Sequence, residues 1–171
     1  MKPKEGTSPA SSKPAQRKQD ALKRLTWEII SINFSIEKLH RIRARALNIS
    51  GPQWKILLAI SDHEDANDGI PVNVVAKTLH VDASFVTTQS KKLENMGFLS
   101  RKPCPADARV MRLALSKASV QQLASVAEQE IALSEFIFQD FCEKELSEFS
   151  IKLASIKKRL DKARLKLALE F

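Results

Sequence analysis

The feature that most constrains this chain is the order of apolar and polar residues in Pro71–Leu115. Apolar residues recur at helical spacing in Pro71–Leu79, and a second helical pattern occupies Asp82–Met96. Asp82 is placed to cap the second helix, and Gly97 can adopt the left-handed conformation that ends it. The sequence therefore predicts two helices joined by a tight turn.

One face of the second helix carries only groups that can hydrogen-bond to phosphates or base edges. At about 100° per residue, the face spans an arc of roughly 140°. It consists of Ser84, Thr87, Thr88, Lys91, Lys92 and Asn95. Glu94 lies to the side, so this arc has no carboxylate. An ordinary solvated helix face is the alternative, but such a face usually mixes both signs of charge, and we predict that this one contacts DNA.

A basic hairpin is predicted directly after this helix. Two segments with the alternation of strands, Phe98–Lys102 and Arg109–Leu115, enclose a proline-rich turn. The hairpin residues predicted to contact DNA are Arg101, Lys102, Asp107 and Arg109. Arg109 is placed to enter a narrow minor groove, and Asp107 to orient its guanidinium by a charge-assisted hydrogen bond. Helix, turn, helix and basic hairpin together predict a winged helix-turn-helix.

Long apolar seams lie on both sides of this central segment. In the first helix the seam residues are Leu22, Leu25, Ile29, Ile32, Ile36 and Leu39. In the last helix they are Leu146, Phe149, Leu153, Ile156, Leu160, Ala163 and Leu167. Such seams pack helix against helix, either within one chain or between two chains. We favour a homodimer, because the small central segment cannot cover two apolar stripes of this length.

These patterns divide the chain into four parts, with a fold class that is mainly α with a small β-hairpin wing. Residues 1–19, rich in Pro, Ser and Lys, are predicted to be a disordered basic tail. Residues 20–48 form the predicted N-terminal dimerisation helix, and residues 49–116 the winged helix-turn-helix lobe that binds DNA. Residues 117–171 supply C-terminal dimerisation helices, the first of which is expected over Lys117–Phe141.

The charge of the chain favours an anionic partner. Its formal net charge is +8 and its pI is about 9.6, and the positive charge is unevenly distributed. Ser84–Arg112 has six basic residues and two acidic ones, whereas Asp62–Asp68 has four acidic residues and no basic one. Because phosphates attract the first segment and repel the second, double-stranded DNA is the expected partner.

Other classes of protein are excluded by what the sequence lacks. It has no run of about 18 apolar residues that would span a membrane, and no secretory signal pattern. Its two cysteines, Cys104 and Cys142, form no CxxC pair, and no catalytic motif or cofactor-binding loop occurs. We therefore expect a cytoplasmic protein that is not an enzyme and has no cofactor, metal or membrane partner.

Three stretches resemble the MarR family of winged-helix repressors. They are Gln53–Trp54 at the start of a helix, Leu93–Leu99 between the second helix and the hairpin, and Asp107–Arg109, which matches the family's DxR wing motif. The resemblance covers about Leu22 to the C-terminus. It implies a homodimer formed by the first and last helices, which binds a pseudo-palindromic operator. It also implies a ligand pocket between the dimerisation helices and the DNA-binding lobe.

The chain departs from the family pattern at two places. Thr88 stands where the family commonly has arginine, so the base preference is expected to differ or the affinity to depend more on Lys91 and the wing. After the wing, the family's LTxxG becomes Leu115–Ser119, in which Ser116 can still cap a helix.

A pocket beneath the first two helices is the expected effector site. Its candidate residues are Trp27, Phe34, His40, Arg43 and Trp54. Aromatic walls with a few cations suit a small aromatic acid or its acyl thioester, although both tryptophans also fit simple core positions. Cys104, beside two prolines and near Arg101 and Lys102, is a candidate for redox control of the wing.

The sequence thus predicts a dimeric, sequence-specific DNA-binding transcriptional regulator, a repressor that a small ligand releases from its operator. The alternative is a winged-helix module that binds other proteins and has no specific affinity for DNA.

Overall fold

A computed structural model describes residues 14–63 and 69–170, which form six helices and three short strands. In chain order these are α1 Pro14–Ala46, α2 Gly51–Ser61, β1 Ile70–Pro71, α3 Val72–Leu79, α4 Ala83–Asn95, β2 Leu99–Pro103, β3 Met111–Leu115, α5 Lys117–Ile137 and α6 Glu143–Glu170. The chain divides after Val120 into two compact units. The mainly helical fold with a winged-helix lobe, as the sequence predicts, is confirmed.

Helix α2 begins at a capping box. The Ser50 hydroxyl accepts the backbone N–H of Gln53 at 3.4 Å, and the Gln53 side chain accepts the backbone N–H of Ser50 at 2.8 Å. Pro52 lies in the first turn, where its missing N–H costs nothing. Because the helix starts at this fixed point, its apolar residues face inward in a defined rotation.

The core of the first unit lies between α2 and the elements that follow it. Its most deeply buried side chains are Trp54, Ile56, Leu57, Ile60, Ile70, Val75, Val86, Leu93 and Leu113, each at most 1% exposed. Helix α2 contacts α3, α4 and β3, and α4 contacts β2. Removing these apolar surfaces from water supplies the main driving force for folding, and it holds α4 by one of its faces.

The turn between α3 and α4 depends on a left-handed residue. His80 has φ 55° and ψ 41°, and its N–H points to the carbonyls of Ala76 and Lys77. Asp82 is the N-cap of α4, but its side chain makes no capping hydrogen bond, so that part of the sequence prediction was wrong. Its carboxylate still lies near the positive end of the helix dipole, where a negative charge is favourable.

The hairpin is part of a three-stranded antiparallel sheet with the order β1-β3-β2. Ile70 pairs with Leu113, and Arg101 pairs with Leu113 from the other side. The two-stranded hairpin of the sequence prediction was therefore incomplete. Gly69 has φ +75°, and a Cβ there would lie 3.1 Å from the Leu113 carbonyl oxygen, so the close approach of β1 to β3 requires glycine.

Two helix boundaries differ from the sequence prediction. Helix α1 begins at Pro14, so the expected disordered segment 1–19 is helical over residues 14–19, and its remainder lies outside the described residues. Helix α5 ends at Ile137 rather than at Phe141, because the chain turns at residues 138–140 before α6 begins.

The second unit, described by itself, begins within α5 and includes all of α6. At the start of α6, the Glu145 carboxylate accepts the backbone N–H of Cys142 at 2.8 Å, which lowers the pKa of Glu145 below its ordinary value. The rings of Phe138, Phe141 and Phe149 contact one another across the turn, with centroids 6.3 Å and 6.1 Å apart. These contacts fix the direction in which the chain leaves α5.

The terminal helices leave many apolar side chains exposed. In α1 the large exposed ones are Leu22, Leu25, Trp27, Ile32, Phe34, Ile36 and Ile42, and in α6 they are Phe149, Ile151, Leu153, Leu160, Leu165, Leu167 and Leu169. None of the described helices has the length and apolar run that a bilayer span needs. Most of the predicted seam residues are therefore uncovered in a single chain.

Replacing Ser50 with alanine should lower the free energy of unfolding by about 1 kcal/mol, because the Gln53 N–H loses its acceptor. Urea denaturation followed by circular dichroism measures this change. Ser61→Ala is the control, since Ser61 is exposed at the other end of α2 and the described residues give its side chain no hydrogen bond. Equal losses in the two variants would show that the capping box does not stabilise α2.

Candidate nucleic-acid interface

The outer face of α4 is exposed as a consequence of how its inner face packs. Val86, Ser90 and Leu93 are buried. On the predicted DNA-contacting face, Ser84, Thr88, Lys91, Lys92 and Asn95 are exposed and Thr87 is half-buried. The structure therefore brings the six residues together on one solvent-facing surface, which we call the outer face of α4.

The hydroxyl groups on this face differ in what they can still donate. The Thr88 hydroxyl donates to the carbonyl of Ser84 at 3.0 Å, so its hydrogen is already used within the helix. Among the described residues, the hydroxyls of Ser84 and Thr87 have no hydrogen-bond partner. The first turns of α4 thus present two free hydroxyls and one hydroxyl that can only accept.

The cations of the candidate interface are not neutralised by the chain itself. In the part of the chain that the structure describes, Lys91, Lys92, Lys102 and Arg109 are exposed and form no ion pair. The Nε of Arg101 is buried and has no hydrogen-bond partner there. An unpaired buried guanidinium N–H is unfavourable for folding.

Glu94 joins α4 to the wing and was not predicted to have a role. Its carboxylate accepts the backbone N–H of Arg101 at 2.9 Å. The acid beside the outer face is therefore turned toward β2, and its lone pairs are partly used. This bond links residues seven apart in sequence and on different elements, so helical periodicity alone gave no signal for it.

The tip of the wing is held by backbone hydrogen bonds. The N–H of Cys104 donates to the Val110 carbonyl at 2.7 Å, and the N–H of Val110 donates to the Asp107 carbonyl at 2.9 Å. Asp107 accepts the backbone N–H of Arg109 at 2.9 Å, and not the guanidinium as predicted. Asp107 therefore shapes the turn, while the Arg109 side chain remains exposed at its end.

The thiol of Cys104 lies inside this turn and is half-buried. Hydrogen bonds from the backbone N–H groups of Ala106 and Asp107 lower the pKa of the Cys104 thiol, and the side chain of Arg112 adds a smaller effect in the same direction. The predicted influence of Arg101 and Lys102 is not what lowers it. The shift follows from the shape of the turn, which presents N–H groups to the sulfur.

The predicted effector residues do not share one environment. Trp54 is 1% exposed and its Nε1 has no hydrogen-bond partner among the described residues, and the same is true of the buried Nδ1 of His40. Arg43 is half-buried, whereas Trp27 and Phe34 are 67% and 60% exposed. Only His40 and Trp54 therefore combine burial with an unsatisfied polar atom.

An ion pair joins the two helices that carry these residues. Lys55 on α2 donates to Glu37 on α1 at 2.9 Å, with both side chains about one-third exposed. The hydrogen bond from Lys55 lowers the pKa of Glu37, and the charges of Lys55, His40 and Arg41 act in the same direction. The described residues contain no cluster of His, Cys, Asp or Glu that could hold a metal ion.

Two helices joined at His80, with α4 exposed and a hairpin beside it, define a winged helix-turn-helix. Residues 49–111 match the sequence model of the MarR family. The resemblance predicted from the sequence is thus confirmed over the winged-helix lobe of this chain.

Solved structures share this fold. A MarR/EmrR family transcriptional regulator from Acinetobacter sp. ADP1 has a TM-score of 0.68 at 17% identity, over 82% of this chain and 96% of its own. The transcriptional regulator SlyA has a TM-score of 0.67 at 19% identity, over 81% and 95%. MepR from S. aureus, solved as a complex with DNA, has a TM-score of 0.67 at 16% identity, over 78% and 96%. No curated protein matches the chain, and at these identities the likeness establishes the fold.

The wing thiol should ionise more readily in the folded protein than in a peptide. In a Cys142→Ser variant only Cys104 remains, and we expect its reaction with iodoacetamide to reach half its maximal rate at a lower pH than in a synthetic peptide of residues 101–112. Rate against pH, measured by mass spectrometry, tests this. Coinciding profiles would show that the N–H groups of Ala106 and Asp107 do not stabilise the thiolate.

Proposed function

We propose that this protein is a sequence-specific DNA-binding transcription regulator that acts as a homodimer. The observation that carries the proposal is the outer face of α4, which is exposed, free of carboxylates and bears lysines that no described acid neutralises. If this face contacted only water, no interaction would favour lysines without neighbouring carboxylates. On a duplex, each lysine that reaches a phosphate releases condensed counterions, which is a large gain at low salt.

The chemistry of α4 fits the major groove. The short side chains of Ser84 and Thr87 allow the first turns of the helix to approach base edges, and their free hydroxyls can donate or accept. Lys91 and Lys92 reach the phosphate backbone farther along, and Asn95 has the amide that pairs with adenine. Thr88 contributes an acceptor and a methyl group, which suits contact with thymine more than the charged contact an arginine would make.

The wing fits the adjacent minor groove. Arg109 projects from a turn whose backbone is already hydrogen-bonded, so the backbone loses little conformational freedom when the guanidinium binds. Arg101 and Lys102 lie nearer the base of the hairpin, where phosphates would satisfy them. The MepR–DNA complex and the complex of a mutant MarR from E. coli with operator DNA have this fold, the latter at 21% identity and a TM-score of 0.63.

Dimerisation is proposed from the exposed seams of the terminal helices. Side chains such as Leu25, Ile32, Leu160 and Leu167 are 50–61% exposed in one chain. Apolar stripes of this length on a monomer are unfavourable in water, and a second copy carries the matching stripes. Two-fold symmetry then places two α4 helices in successive major grooves, so we expect a pseudo-palindromic operator.

A small anionic aromatic ligand is the proposed effector, whose binding releases this repressor from its operator. Support comes from the unsatisfied Nε1 of Trp54 and Nδ1 of His40 on two helices in contact. A carboxylate or carbonyl oxygen would accept the indole N–H, and the rings would bury the ligand's apolar surface.

Genomic fragments captured by the purified protein should share a site whose half-site centres lie about one helical turn apart, or a multiple of it. Replacing Arg109 with alanine should weaken binding to this site by about 1–3 kcal/mol, measured by mobility shift. Arg159→Ala, an exposed arginine on α6, is the control and should bind as wild type does.

Two outcomes would contradict the proposal in different ways. If wild-type protein prefers no fragment over bulk DNA, specific DNA binding is wrong and the protein-interaction module becomes the better hypothesis. If a preferred site exists but Arg109→Ala binds it normally, the wing does not contact the minor groove.

Aromatic acids and their thioesters that raise the melting temperature should do so through Trp54. A Trp54→Phe variant keeps an aromatic ring but loses the indole N–H, so we expect its ligand-induced shift to fall while it still folds. Differential scanning fluorimetry measures both effects, with Trp27→Phe as the exposed control. A full shift in Trp54→Phe, or no shift with any such compound in wild type, would overturn the effector proposal.

A further inference from the structure

The backbone of one residue, Phe98, joins the end of α4 to the start of α5. Its N–H donates to the carbonyl of Leu93 on α4 at 2.9 Å. Its carbonyl accepts the N–H of Ser116 at 3.0 Å and the hydroxyl of Ser119 at 2.6 Å. A single peptide segment therefore receives hydrogen bonds from the first turn of α5 while it is bonded to the last turn of α4.

The Ser119 hydroxyl is buried in this junction. Ser119 is 1% exposed, its N–H donates to the Ser116 hydroxyl at 3.2 Å, and the two hydroxyls lie 3.1 Å apart. Ser116 thus caps α5 as its sequence predicts. If the Ser119 hydroxyl were removed, the Phe98 carbonyl would still accept the N–H of Ser116. The Ser119 hydroxyl is therefore not required to satisfy this carbonyl. What the hydroxyl adds is a second, directional contact.

The wing is held to α4 by a separate bond. Glu94 on α4 accepts the N–H of Arg101 on β2 at 2.9 Å. Phe98 lies between Glu94 and Arg101 in the sequence. The short segment that contains Phe98 is therefore attached to α4 at one end and to the base of the wing at the other. A displacement of Phe98 therefore moves the recognition helix and the wing together.

Helix α5 continues without interruption from Lys117 to Ile137 and so extends from the first compact unit into the second, past the division at Val120. The start of α5, including Ser119, lies within the first unit, where Ser116 and Ser119 donate hydrogen bonds to Phe98.

We infer that Ser119 is a positioning residue, whose hydroxyl sets the placement of α4 and the wing relative to the first turn of α5 and thereby operator selectivity. The inference deepens the proposed function and rests on it. Base-edge contacts require side chains placed within a fraction of an ångström, whereas phosphate contacts tolerate displacement. Loss of the Ser119 hydroxyl therefore reduces binding to the preferred site and leaves binding to bulk DNA unchanged.

The test uses full-length protein with three single substitutions. Ser119→Ala removes the hydroxyl, Ser119→Thr retains it, and Ser125→Ala is the control. The Ser125 hydroxyl lies on the same helix but donates only to the Gln122 carbonyl, at 2.7 Å. Affinity for the captured operator and for a random duplex is measured at one salt concentration, together with the melting temperature.

Ser119→Ala should lower operator affinity about five- to tenfold, the range for one directional hydrogen bond. Its affinity for the random duplex should change less than about twofold. Ser119→Thr and Ser125→Ala should keep the wild-type ratio. Hydrogen exchange gives a second readout, since the amides of Phe98 and Arg101 should exchange faster in Ser119→Ala alone.

The outcomes separate this inference from the proposed function. An unchanged affinity ratio in Ser119→Ala, or an equal loss of both affinities with a lower melting temperature, overturns the inference and leaves the proposed function standing. A wild-type protein that prefers no DNA site overturns both. Unchanged exchange at Phe98 and Arg101 in Ser119→Ala also overturns the inference.

Discussion

The burial of one face of α4 is the constraint on which the rest of the molecule depends. Val86 and Leu93 are fully buried, and burying such a side chain is worth about 1.5–3 kcal/mol. The ion pair between Lys55 and Glu37, partly exposed, contributes about 1 kcal/mol or less. Apolar packing therefore decides the rotation of α4, and that rotation determines which side chains form its outer face.

Electrostatic interactions depend on the lysine side chains that form no ion pair with the described residues. A core that fixes α4 needs none of the outer lysines, and exposed cations cost little while they remain hydrated. Glu94, a carboxylate on the same helix, is turned toward the backbone of the wing, and Asp107 is bonded to the backbone at its tip. Both acids thus shape the lobe through backbone N–H groups and leave the neighbouring positive charge available to an external anion.

Local signals predicted much of this fold, and long-range contacts account for what they missed. The left-handed conformation of Gly97 (φ +79°) depends on residues close in sequence, and its prediction is confirmed. Strand β1 has only two residues, one of them proline, and exists because β3 lies beside it. The outer face of α4 followed from periodicity, but the contact between Ser119 and Phe98 joins residues 21 apart and required the structure.

The central claim is that the outer face of α4 enters the major groove twice on one duplex. Dimethyl sulfate footprinting of the captured site measures this most directly, because guanine N7 faces the major groove. We expect protein to protect N7 in two patches about one helical turn apart or a multiple of it. Protection that is absent, or spread evenly along the duplex, would contradict the claim.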